Sequence, residues 1–214
     1  MPLLSTPPEL IKIANAIAKS EGRSILVGGA VRDHCMGRKS LKDFDVEIFG
    51  ISPEVLESLL RNFGNIHAVG KSFGVLKLKT SSAEYDFSLP RRESRTGKGH
   101  RGFMVTPDST MSYREAASRR DFTVNSIGYD LLTKTLLDPF DGLGDIKHKI
   151  LRHVGPAFAE DPLRVLRAMQ FSARLEFKIA PETVQLCKTL DLSLIHISEP
   201  TRRYAISYAV FCLK

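Results

Sequence analysis

Asp43, Asp45 and Glu47 stand at alternate positions of the stretch DFDVEIF, and a β-strand sends alternate side chains to one face. Three like charges so placed repel one another, so a compact domain that keeps them calls for a cation. Oxygen donors with no cysteine or histidine among them suit a hard ion, Mg²⁺ with Mn²⁺ as the alternative, over Zn²⁺. Just upstream, Gly28 and Gly29 separate the apolar run Ile25-Leu26-Val27 from a short predicted helix that carries Arg32. Backbone N–H groups freed at such a turn suit a phosphate, and a guanidinium adds a fixed positive fork. A metal beside a phosphate is the arrangement of phosphoryl transfer. Taken singly, each half has a plainer meaning: a tight turn, and a solvated strand face.

The elements that would position these side chains are legible as alternating helices and strands. Residues 8–21 read as an amphipathic helix stopped by Gly22, and Ser52 with Pro53 opens a helix that ends at Gly64. Three short strands are predicted over 66–69, 73–79 and 84–89. This order predicts an α+β head whose mixed sheet carries helices on one side. In the last strand Glu84, Asp86 and Ser88 share a face; beside the first acidic strand, Asp86 would be a third metal ligand, and otherwise a solvated edge residue. Residues 91–101, RRESRTGKGHR, read as a basic loop in which Arg91, Arg92 and Lys98 suit a triphosphate or an RNA backbone, or else simply face solvent. Ser112 and Glu115 form a capping box for a helix ending near Arg119-Arg120. A hairpin is predicted over 129–138, turns over 138–145 whose carboxylates serve as turn and cap residues, and a strand over 150–154 that closes the domain. A helix then opens with Pro162 early in it. On that helix Asp161 and Arg164, three apart, share a face and can pair; the simpler reading makes Asp161 an N-cap.

The chain has 214 residues, 43% of them hydrophobic and 26% charged, an ordinary balance for a globular protein and enough for one domain and part of another. No apolar run reaches membrane-spanning length, and the start lacks the layout of a signal peptide, so a cytoplasmic protein is expected. Cys35, Cys187 and Cys212 are far apart and odd in number, which fits reduced thiols. Residues 192–214 resemble the translation of a sequencing-library adapter and are read as a non-native tail on a gene that was longer. Without that tail the chain holds 28 basic and 23 acidic residues, and its net charge falls from +7 to +5. The remaining excess still suits a polyanion.

Gly28-Gly29-Ala30-Val31-Arg32-Asp33 followed by Asp43-Phe44-Asp45 resembles the signature of the class II nucleotidyltransferases, the tRNA CCA-adding enzymes and bacterial poly(A) polymerases. Three further segments fit the same family in order: Arg119 to Asn125 (RRDFTVN), Asp138 to Asp145 (DPFDGLGD) and Glu160 to Arg167 (EDPLRVLR). The resemblance implies a head of the DNA polymerase β type over 1–150 and the start of a helical neck over 151–191. It implies that Asp43 and Asp45 bind the catalytic metals, that Gly28, Gly29, Arg32, Arg120, Asp121, Asn125 and Arg167 hold the nucleotide, and that Asp161 and Arg164 read its base. Gln170 departs from the arginine that many members carry. The implied activity is template-independent addition of C and A to the 3′ end of tRNA from CTP and ATP, by a two-metal displacement. No membrane and no obligate protein partner is implied. The rival readings are a poly(A) polymerase, an enzyme adding only CC or only A, and, from another class, a noncatalytic RNA-binding fragment. Whether the truncated chain turns over is left open.

Overall fold

The computed structural model describes residues 4–38, 43–69, 75–80, 83–95 and 103–190. Lys98, Arg101 and the adapter-like segment 192–214 lie outside them. The chain divides into two compact units, Met1–Ala117 with Ile127–Pro139, and Ser118–Ser126 with Phe140–Lys214. The second unit therefore takes up chain well before the expected boundary at 150.

The first unit begins with α1 (Pro8–Ala18), whose stripe of Leu10, Ile13, Ala14 and Ile17 is buried. A Cβ on Gly22 would lie 2.6 Å from Cγ2 of Ile17, so the chain leaves the helix through a position with no room for a side chain. Then come β1 (Arg23–Val27), α2 (Gly29–Cys35), β2 (Phe44–Phe49), α3 (Pro53–Leu60), β3 (Asn65–Val69), β4 (Val75–Lys79) and β5 (Glu84–Ser88). β6 (Arg91–Arg95), β7 (Phe103–Pro107), α4 (Tyr113–Ser118), β8 (Gly128–Asp130) and β9 (Leu136–Leu137) follow.

Seven of these strands form one sheet in the order β3-β4-β5-β2-β1-β8-β9, in which β2 and β5 run parallel and the other neighbours antiparallel. This is the mixed sheet that the element order predicts. Directly paired residues share a face, so the pairing sorts the side chains. Leu26, Val46, Ile48, Leu78, Tyr85 and Phe87 lie on one face, all fully buried. α1 reaches that face, where Glu9 accepts hydrogen bonds from the hydroxyls of Thr80 (2.7 Å) and Tyr85 (3.4 Å). On the opposite face Ile25, Val27 and Phe49 pack with Met111 and Ala116, flanked by Tyr113 and Leu137. Helical cover is thus not confined to one side: α4 closes part of the second face, and the polar remainder of that face carries Asp45, Glu47, Asp86 and Lys77.

The basic loop expected over 91–101 is corrected by β6, which pairs antiparallel with β7 as a separate two-stranded sheet. RRESR has no apolar alternation from which to read a strand; its pairing comes from the partner backbone. The hairpin expected over 129–138 is present as β8 and β9, with Lys134 in the left-handed region at its turn.

The second unit contains a 3₁₀ turn (Thr123–Asn125), α5 (Gly142–His148), β10 (Ile150–Leu151), a second 3₁₀ turn (Pro156–Glu160), α6 (Leu163–Leu175), β11 (Lys178–Ile179) and α7 (Pro181–Thr189). Its centre is Phe122, wholly buried, with the rings of Phe158 and Phe171 at 5.6 and 5.8 Å in edge contact. Burial of these aromatic rings, together with burial of Val165, Ala168 and Phe177 in the same unit, supplies the driving force. The strand expected over 150–154 is shorter: β10 pairs parallel with β11, while His153 makes a single bridge to Phe122. Among the described residues no helix is long and apolar enough to cross a membrane.

Candidate active site

In the first unit, antiparallel pairing of β1 with β2 sets Asp45 directly opposite Val27, the residue before the glycine turn. Gly28 has φ of 74°, and a Cβ there would sit 3.4 Å from Oδ2 of Asp45. Glycine leaves this backbone bare beside the carboxylate. Arg32 lies beneath the turn with only 2% of its side chain exposed. Its Nε donates to Oδ1 of Asp33 at 2.9 Å, Nη2 forms an ion pair with the same oxygen at 2.8 Å, and Nη2 is 3.6 Å from where a Cβ on Gly29 would be.

Asp43 corrects the period-two argument. It precedes β2 with φ of 58°, outside the strand, so alternation places Asp45 and Glu47 together but does not reach Asp43. Glu47 is 8% exposed, whereas Asp43 and Asp45 are exposed. Among the described residues no three histidine, cysteine or acidic side chains come together as a metal cluster; of the expected trio, Asp43 and Asp45 are the exposed members. The hard oxygens of Asp45, beside a turn with no side chain in the way, are of the kind that suits a divalent cation, and Asp43, two residues before it, carries the same kind of donor.

Asp86 stands where a strand beside β2 would put it, paired with Asp45 across the parallel β2–β5 ladder. Its Oδ2 accepts a 3.0 Å hydrogen bond from Nζ of Lys77. That bond, with the Asp86 charge, raises the Lys77 amine above its ordinary range. Arg91 and Arg92 sit on β6, and Arg92 donates to Asp108 at 2.6 Å. Hydrogen bonds from the Thr110 hydroxyl and then from Arg92 pull the Asp108 carboxyl down to about 2.

In the second unit the carboxylate of Asp121, buried at 7% exposure, organises its neighbours. Oδ1 accepts from the Phe122 N–H at 2.8 Å and from Nδ2 of Asn125 at 2.9 Å. Oδ2 accepts two bonds from Arg167, at 2.9 Å from Nε and 2.6 Å from Nη2. Arg167 also lies over the Phe171 ring, 5.2 Å from its centroid, with Arg174 at 5.1 Å. The structure thus joins Asp121, Asn125 and Arg167, and Arg120 sits half-buried just before them.

Asp161 and Arg164 do not share a helix face as expected, because α6 begins at Leu163 and Asp161 is extended, outside it. Oδ1 of Asp161 accepts the Leu163 N–H at 2.9 Å, a cap-like bond. Arg164 donates to the backbone carbonyls of Ala157 (2.7 Å) and Arg119 (2.8 Å), which fixes its guanidinium from both sides. Asp145, in the segment read as turn-forming, is buried and accepts from the Thr123 hydroxyl at 2.7 Å and from Arg152. Sequence reading missed Asp33 and Lys77. Lys77 left a signal, since LKLK and EYD carry opposite charges at strand spacing.

Residues 24–152 match the family described as the Poly A polymerase head domain. The chain is 45% identical over 174 residues to a protein described as "Multifunctional CCA protein" from Xylella fastidiosa, covering 80% of this chain and 40% of that one. Its fold matches a Bacillus stearothermophilus CCA-adding enzyme solved in complex with CTP, at 30% identity and a TM-score of 0.76, over 96% of this chain and 49% of that one. It also matches a tRNA nucleotidyltransferase solved with a primer tRNA and an incoming ATP analogue, at 33% identity and a TM-score of 0.66, over 82% of this chain and 48% of that one. The chain spans less than half the length of each of these relatives. With the match running from β1 through the glycine turn, both exposed aspartates and the Asp121 segment to Arg152, the chain belongs to the Poly A polymerase head domain family.

Proposed function

We propose that the chain is the catalytic head, residues 1–150, and the beginning of the neck, residues 151–191, of a cytoplasmic tRNA nucleotidyltransferase that adds C and A to the 3′ end of tRNA from CTP and ATP. The observation that carries the proposal is the approach of the Asp45 carboxylate to the bare Gly28 backbone. Relatives solved with CTP, and with a primer tRNA and an ATP analogue, support the choice of substrates.

In this reading Asp43 and Asp45 hold Mg²⁺ or Mn²⁺. Two such ions, when bound, would activate the terminal hydroxyl and neutralise the departing pyrophosphate. The backbone of Gly28 and Gly29 lies along the phosphates, and Arg32 lends its charge from beneath the turn. Arg120 and Arg167 supply positive charge for the triphosphate, with Asp121 fixing Arg167 and Asn125 in place. Asp161 accepts from the exocyclic amino group that cytosine and adenine share, and Arg164 donates to the neighbouring ring acceptor. Arg91, Arg92 and Lys98 contact RNA or triphosphate, a salt-dependent contribution.

The test is incorporation of labelled CTP into tRNA lacking its CCA end, with Mg²⁺ present. Asp43→Asn and Asp45→Asn should each reduce incorporation to background while leaving the far-UV spectrum unchanged; turnover retained in either variant contradicts the assignment. The competing reading from another class is a noncatalytic RNA-binding fragment. Measurable tRNA binding by the unaltered chain without turnover, even at high Mg²⁺, would support that reading. Repeated extension with ATP alone would instead indicate a poly(A) polymerase.

A further inference from the structure

Three residues form a straight row across the polar face of the large sheet. Lys77 on β4 pairs with Asp86 on β5, and Asp86 pairs with Asp45 on β2, so all three side chains leave the same face. Neighbouring strands are about 4.8 Å apart, which puts the backbone of Lys77 roughly 10 Å from that of Asp45, and a lysine side chain spans more than half of that gap. Its ammonium is placed by the 3.0 Å bond to Asp86, with the two side chains 45% and 33% exposed. The pattern repeats two residues along, where Lys79 meets Glu84 at 3.4 Å. Each acidic residue of β5 on this face thus has a lysine from β4 beside it, and the carboxylate row arrives partly neutralised from within the protein.

We propose that Lys77 is a built-in counter-cation that lowers the affinity of the Asp45 carboxylate for divalent metal, with Asp86 acting as its tether; this rests on the metal-binding role given to Asp45 above. A fixed positive charge at that range repels a divalent ion twice as strongly as a monovalent one, enough at a water-exposed site to weaken binding by about fivefold. The effect is electrostatic, so it shrinks as ionic strength rises. The consequence is a site that holds its ion firmly only when further negative charge, such as a nucleotide's phosphate chain, arrives with it. Lys77 is in this sense a positioning residue for charge and touches no reacting atom.

The experiment titrates Mn²⁺ into the 214-residue chain at low salt, without nucleotide, and reads free Mn²⁺ by electron paramagnetic resonance. Lys77→Met should bind Mn²⁺ about fivefold more tightly than the unaltered chain, Lys77→Arg should match the unaltered chain within twofold, and Asp45→Asn should lose the site. The gain in Lys77→Met should fade when the titration is repeated in high salt. Equal or weaker binding by Lys77→Met, with Asp45-dependent binding intact in the unaltered chain, overturns this inference and leaves the metal assignment standing. Absence of any Asp45-dependent binding in the unaltered chain overturns both. Lys77 is exposed, and a matching thermal midpoint for Lys77→Met identifies the affinity change as electrostatic.

Discussion

Asp121 concentrates more of the second unit's polar structure than any motif pattern indicates. One buried carboxylate receives the Phe122 amide, the Asn125 side chain and two N–H groups from one edge of the Arg167 fork. Asp121→Asn preserves shape but turns an NH₂ group toward one of these donors, leaving buried hydrogen-bonding capacity unmet. The expected loss is about 1–3 kcal/mol of stability, read as a lower urea midpoint. Arg167 is 49% exposed, so its ionic share is screened, and most of the loss belongs to the amide and Asn125 bonds. That Asp121, Asn125 and Arg167 belong together follows from the family resemblance. That one carboxylate clamps the other two is invisible in sequence, because Arg167 is 46 positions away from Asp121. Asp43 shows the opposite failure. The spacing of Asp43 and Asp45 suggests strand alternation, but the left-handed backbone at Asp43 is set by how the chain enters β2. Asparagine tolerates that conformation better than alanine, so Asp43→Asn separates lost charge from backbone strain.

At the level of elements, most of the sheet was readable, because β2 and β5 bury alternate apolar residues on a closed face and β1 is an apolar run buried on both faces. The capping box was readable too: the Ser112 hydroxyl donates to Glu115 at 2.6 Å, and the Ser112 N–H at 2.8 Å. β6 was not, since a strand of a two-stranded sheet has no core to impose an apolar period. The end of its hairpin is held instead by Asp108, which accepts from Thr110 and Arg92. A carboxyl pulled down to about 2 contributes fully above its ordinary value near 4, and that contribution is lost progressively as pH falls from there through about 2. The Asp108 carboxyl resonance should therefore titrate near pH 2, and Arg92→Gln should move the midpoint up toward 4. A midpoint near 4 in the unaltered protein would contradict the geometry at this hairpin.

On the scale of the whole molecule, the two compact units are interleaved in sequence, with Ser118–Ser126 belonging to the second unit while Ile127–Pro139 returns to the first. The family resemblance implies a cut between head and neck at 150, and nothing in the short segment RRDFTVNS shows which core Phe122 will join. Phe158, Phe171, Arg167 and Asp145 all find partners in that segment. A peptide of residues 151–190 should accordingly show no cooperative thermal transition by circular dichroism; a sharp melt would mean that the neck holds itself together. Homologous recombination meets the same constraint. A hybrid gene spliced near codon 150 would wrap one parent's aromatic ring in the other parent's helices, whereas an exchange that carries codons 118–126 along with the later block keeps each inherited interior whole.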